Sequence, residues 1–183
     1  QLDYPLAAPS ANITTKVSAV KAKDVKEEFG NKIKYILDGG TCAIGVESTI
    51  VNLTGRPSIL RLGGLDILKI QKTLGFKINT LINPKKKIAP GQSRLHYSPG
   101  IPLRMNVIKP KDNEAFIVIK KKKKLNNCFY LTTKNNLDEA AKNLYSCLRK
   151  IKNKGYKSIA VERIRNKGIG KVINDRLSKA SRF

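Results

Sequence analysis

Asn136-Leu137-Asp138-Glu139-Ala140-Ala141-Lys142-Asn143-Leu144-Tyr145-Ser146-Cys147-Leu148-Arg149-Lys150-Ile151-Lys152 sets Leu137, Ala140, Ala141, Leu144, Leu148 and Ile151 along one stripe. A stripe repeating about every 3.6 residues predicts an amphipathic helix over 136–152. Asn136 followed by Glu139 resembles a capping box at its start. Two apolar, β-prone runs precede it, at 115–119 and 128–132. A third run at 158–164 and a second helical pattern at 171–180 follow it. Strand–helix–strand–helix alternation implies a small α/β unit, Rossmann-like, with a largely parallel sheet.

Upstream of this unit the pattern fails from 83 to 102. Pro84, Pro90, Gly91, Pro99, Gly100 and Pro102 break any regular element, and a stretch this long is either functional or a connection between domains. Before it lies a second set of elements. Residues 24–29 look helical, with Val25 and Phe29 one turn apart, and 34–37 reads as a short strand ending at Asp38-Gly39-Gly40. The runs 47–53 and 58–62 flank the turn Thr54-Gly55-Arg56-Pro57 and predict a hairpin. Asp66 then caps a helix carrying Ile67, Ile70 and Leu74, stopped by Gly75. Residues 2–8 read as a strand entering Pro9-Ser10-Ala11-Asn12, so the chain is expected to begin within a domain, with a substantial N-terminal part missing. The expected division is 1–82, a linker at 83–102, and 103–183.

The 183 residues are 40% hydrophobic, enough for a real core, and carry a formal net charge of +24. Such a charge attracts phosphates and supports salt-sensitive nucleic-acid binding, or it is simply a solvated basic surface. The runs Lys85-Lys86-Lys87 and 120–124 are not interleaved with aromatics, which argues against a base-stacking platform. Cys42, Cys128 and Cys147 are widely spaced without a CxxC pair, which disfavours a disulfide framework or a zinc site and fits a reducing cytoplasm. No apolar run approaches a membrane span.

Several residues invite a functional reading, each beside a plainer one. Ser10 and Asn12 suit a ligand pocket or an ordinary strand-to-turn junction. Ser48 and Thr49 have hydroxyls for a ligand, yet threonine also simply favours strands. Arg61 interrupts the apolar run Ile59-Leu60-Arg61-Leu62 and needs a phosphate, a carboxylate or a route to water. His96, the lone histidine, lies in an irregular stretch beside Arg94 and Tyr97, placed to reach a polyanion or to serve structure. One histidine gives poor support to a nucleophilic triad or a histidine metal site. Gly168-Ile169-Gly170 and the glycine pairs match neither a P-loop nor a dinucleotide fingerprint.

Taken in order, Pro5 to Asn12, Ile36-Leu37-Asp38-Gly39-Gly40, Glu47 to Gly55, Ile59 to Gly64, Ala89 to Pro99 and Ile173-Asn174-Asp175-Arg176-Leu177 resemble the threonylcarbamoyl-AMP synthase family in its two-domain form. The resemblance implies that 1–82 is the C-terminal part of a YrdC-type twisted open sheet. It implies condensation of L-threonine, bicarbonate and ATP, with Mg²⁺, into threonylcarbamoyl-adenylate and pyrophosphate, and delivery to tRNA by transferase partners. By the family pattern Ser10 and Ser48 contact threonine, and Asn12, Ser18 and Arg61 contact ATP. Arg94, His96 and Tyr97 lie on a lid-like linker, and no enzyme nucleophile or protein-held metal is expected.

Two features depart from the pattern. The family's Lys-x-Arg basic signature is absent, so the isolated chain is expected to be inactive, and Gln92-Ser93 stands where a basic residue and tyrosine are usual. The rival readings are a non-enzymatic basic RNA-binding protein and a YrdC-type module of a carbamoyl transferase, the latter resembling only 1–62.

Overall fold

The computed structural model describes residues 2–82, 84–121 and 126–182. Lys122, Lys123 and Lys124 of the second basic run, and Asn83 at the head of the linker, lie outside the described residues. The elements are α1 (Ala22–Phe29), β1 (Ile50–Asn52), β2 (Ser58–Arg61), α2 (Ile67–Leu74), β3 (Asn79–Thr80), β4 (Leu103–Arg104), β5 (Ala115–Lys120), β6 (Cys128–Thr132), α3 (Leu137–Asn153), β7 (Ile159–Val161) and α4 (Gly170–Ala180). The chain is α/β, as the alternation implies.

The C-terminal sheet has the order β4-β7-β5-β6, and every neighbouring pair is parallel. Strands in such a sheet are covered on both faces and read as continuous apolar runs. β5 obeys this: its first five residues are all buried. Ala115, Ile117 and Ile119 face α3 and α4, while Phe116 and Val118 pack on the other face with Val107 and Ala160. The Asn136 side chain caps α3, accepting from the amides of Asp138 and Glu139. The reciprocal half of the capping box is not made. Glu139 turns instead to the hydroxyl of Thr132, which in turn accepts the Asn136 amide.

The second sheet has the order β1-β2-β3. β1 and β2 form the expected antiparallel hairpin, with Val51 opposite Ile59. β3 adds to β2 in parallel, a pairing not visible beforehand in two exposed residues. Asp66 caps α2 through the Leu68 amide, and Gly75 closes it in the left-handed region, as read from the sequence. Two expectations fail. Residues 34–37 and 2–8 are irregular rather than strands, and Leu37 is 97% exposed. Among the described residues nothing pairs with their backbones, and an unpartnered strand has no ladder to hold it.

Two cores meet along α4. Ile173, Leu177 and Ala180 join α3, the parallel sheet, Val17, Val20 and Tyr97 in the larger one. Val172 points the other way, into a smaller core with Ile59, Leu62 and Ile78. The irregular stretch after residue 83 runs between them. Gln92 pins it: its amide nitrogen donates to the Leu60 and Leu81 carbonyls, and its oxygen accepts from the Ile88 and Ala89 amides. Further on, Ser98 donates its amide to the Thr15 carbonyl at 2.8 Å.

Candidate active site

Arg61 ends β2 and leans back across the hairpin. Its Nε donates to the Ser48 carbonyl and its Nη2 to the Ser48 Oγ, both at 3.1 Å. This fork holds an exposed hydroxyl beside a guanidinium with donors to spare, a combination suited to a polar, anionic ligand. Gly63 permits it: a Cβ there would come within 2.2 Å of the Ser48 carbonyl carbon and the Thr49 nitrogen.

Directly behind Ser48 lies a buried charge cluster. Glu47 accepts from Ser18 Oγ (2.7 Å), from the Tyr145 hydroxyl (3.0 Å) and from Arg176 Nε (2.9 Å). Arg176, with no exposed side-chain surface, also donates Nη2 to the Leu62 carbonyl at 2.7 Å and Nη1 to Asp175 at 2.5 Å. Asp175 in turn pairs with Lys179 at 2.8 Å. Burial alone would raise the Glu47 pKa, but the Arg176 cation and the Ser18 hydroxyl outweigh it and hold the carboxyl below its ordinary value. Arg176 stays protonated because the tyrosines, Glu47 and Asp175 offset the cost of burying it.

Tyr97 lies against this cluster, 1% exposed, with the Arg176 guanidinium 4.7 Å above its ring and Tyr145 stacked 5.8 Å away. Its hydroxyl is buried and has no hydrogen-bond partner among the described residues. Burial pushes the Tyr97 pKa up to about 12, so the phenol keeps its proton. His96 is half-buried, and its Nδ1 accepts the Tyr97 amide at 2.9 Å, which places the neutral ring's proton on Nε2. Burial, with Arg176, Lys179 and Arg61 nearby, lowers its pKa despite the opposing pull of Glu47.

The structure therefore gathers Ser18, Ser48, Arg61, His96 and Tyr97 around one cluster. Ser18 is buried, with its proton committed to Glu47. Ser10 and Asn12 are not hydrogen-bonded to this cluster: among the described residues their hydrogen bonds stay within 10–16, and the Asn12 Oδ1 is buried with no hydrogen-bond partner there. Arg94 is exposed. Glu47 as a hub, Tyr145 and Arg176 were not singled out from sequence. A signal existed, since Arg176 interrupts the apolar face of Val172, Ile173, Leu177 and Ala180 just as Arg61 interrupts β2.

Among the described residues no group of three or more His, Cys, Asp or Glu side chains is placed to hold a metal ion. A separate cavity of about 730 Å³ opens between α2, the start of α3 and the loop before α4. None of the predicted site residues lines it.

Residues 65–182 match the family described as threonylcarbamoyl-AMP synthase, C-terminal domain, and residues 1–63 match one described as telomere recombination. The threonylcarbamoyl-AMP synthase of Pyrococcus abyssi is 34% identical over 99% of this chain, and that of Schizosaccharomyces pombe 33% over 98%. The chain spans 59% and 52% of those relatives. A crystal structure of P. abyssi Sua5 complexed with L-threonine superposes with a TM-score of 0.81 at 34% identity, covering 94% of this chain and 56% of that one. With a family match across more than half its length and relatives of the same name along nearly all of it, the chain belongs to the threonylcarbamoyl-AMP synthase family.

Proposed function

We propose that this chain supplies the Ser48–Arg61 part of a threonylcarbamoyl-AMP synthase site, together with the C-terminal unit that backs it. The observation that carries the reading is the Arg61 fork on Ser48, which holds an exposed hydroxyl beside a cation. In this reading the threonine amine bonds to the carbon of bicarbonate with loss of water. A carbamate oxygen then bonds to the α-phosphorus of ATP as the bond to pyrophosphate breaks. A carbamate is a weak nucleophile that decomposes in water, so alignment and exclusion of solvent matter more than an enzyme nucleophile. Ser10 and Ser48 bind threonine. Asn12 and Arg61 face ATP, where Arg61 offsets phosphate charge. Ser18 is the weaker ATP-side residue, its hydroxyl donating to Glu47 at 2.7 Å.

Mg²⁺ commonly arrives on nucleotide phosphates with most of its waters. There it would add to the neutralisation of phosphate charge that Arg61 provides. The tRNA adenosine acceptor, the transferase partners and the cytoplasmic setting belong to the same proposal. No helix among the described residues is long and apolar enough to cross a membrane.

The test joins this sequence to the N-terminal half that the family resemblance implies. ATP, labelled bicarbonate and L-threonine are supplied with and without Mg²⁺. Threonine-dependent pyrophosphate release with label in the adenylate supports the reading, and its absence from folded protein sinks it. In the same assay Arg61→Ala raises the KM for ATP by about tenfold or more, the loss expected for charge-assisted hydrogen bonds. Its melting temperature stays nearly unchanged because the fork lies at the surface.

A further inference from the structure

We infer that Arg176, on the last helix, is a positioning residue for the Ser48–Arg61 pair; the inference rests on the reading of that pair given above. Arg176 grips both flanks of the fork. Its Nε holds Glu47, the residue before Ser48, and its Nη2 holds the carbonyl of Leu62, the residue after Arg61. One rigid, planar group thereby bridges the residues that flank the pair, on top of the hairpin ladder, and braces two side chains that meet at 3.1 Å. The same guanidinium lies over Tyr97, whose unpartnered hydroxyl and the Arg61 side chain both border Gly91.

Among the described residues no other side chain is hydrogen-bonded to both Glu47 and Leu62, although the Ile50–Arg61 ladder pair and the Thr49 hydroxyl on the Leu65 carbonyl at 2.6 Å also join the two segments. Of these flanks Ser18 and Tyr145 bind Glu47 alone, and the Glu47 carbonyl accepts the amide of Gly64, two residues beyond Leu62, at 2.9 Å. Arg176 itself is over-determined by Asp175, which Lys179 also neutralises, so the arginine is a fixed reference rather than a free arm. The C-terminal unit thus contributes to the site without touching substrate.

The test compares the unaltered protein with Arg176→Lys and with the pair Glu47→Gln, Arg176→Met. The pair leaves no unpaired charge inside, since Asp175 keeps Lys179, and this protects folding. Amide exchange on this chain is expected to quicken about tenfold or more at 48–51 and 60–64 in the pair variant, with β5, β6 and β7 unchanged. In the joined synthase, KM for ATP and threonine rises about tenfold while kcat moves less than about threefold, the pattern of lost uniform binding. Arg176→Lys falls between, because one ammonium cannot reach both flanks. Unchanged exchange at 48–51 and 60–64, or exchange quickened evenly along the chain, overturns the inference. If the unaltered synthase releases no threonine-dependent pyrophosphate, the functional reading fails, and the exchange pattern alone decides the role of Arg176.

Discussion

Glu47 takes hydrogen bonds from a serine, a tyrosine and an arginine at once, and it does so in the ionised form. Glu114, gripped by Arg104, is likewise held below its ordinary value, the hydrogen bonds outweighing burial. A carboxyl depressed in the folded state adds stability above its unfolded pKa, and that stability is lost as pH falls through the folded pKa. Starting from an unfolded value near 4.5, the urea midpoint should therefore decline below about pH 4.5 and keep falling into stronger acid. Glu47→Gln with Arg176→Met should flatten that acid limb; an unaltered limb would mean Glu47 is not one of the groups responsible. Gly91 makes a second test. Its φ is +83°, and a Cβ would meet the Tyr97 hydroxyl at 2.5 Å and Arg61 Cδ at 2.9 Å. Gly91→Ala should lower stability by at least about 1–2 kcal/mol from the left-handed backbone alone, read as a shifted urea midpoint. At this scale the sequence showed half of the site. Ser48, Arg61, His96 and Tyr97 stand out as polar groups in apolar or irregular settings. Glu47 did not, because its partners Tyr145 and Arg176 lie 98 and 129 positions away, and spacing carries no signal over that range.

At the scale of elements, α3 shows how local order is specified. Its apolar stripe buries Ala140, Ala141, Leu144, Tyr145, Leu148 and Ile151, and its free amides are met by one Asn136 carboxamide. Asn136→Ala should cost about 1 kcal/mol, measured as a lowered urea midpoint with unchanged slope. α2, α3, α4 and the strands β5, β6 and β7 were legible because each carries its own period or a continuous apolar run. β3 and β4 were not, since two residues apiece hold no period and exist only through their neighbours β2 and β7. The alternation at 34–37 misled for the complementary reason. Tyr35 and Leu37 look like one face of a strand, but both are exposed.

Across the whole molecule, charge and fold act separately. A net charge of +24 attracts polyanions, most strongly at low salt. If six or more phosphates are engaged, tRNA affinity should drop about a thousandfold or more between roughly 50 and 200 mM salt. The joined synthase's pyrophosphate release should change far less over the same range. Salt-sensitive tRNA binding indifferent to ATP and threonine, without turnover, would favour the RNA-binding alternative. The wiring of Glu47 also bears on biogenesis. Its last partner, Arg176, is made 129 residues later, so at about 5–20 residues per second the carboxylate waits roughly 6–26 s during synthesis. Until then the carboxylate beside Ser48 lacks the cation that pairs with it in the folded chain. The anchor behind Ser48 is therefore complete only once the helix that carries Arg176 has been made.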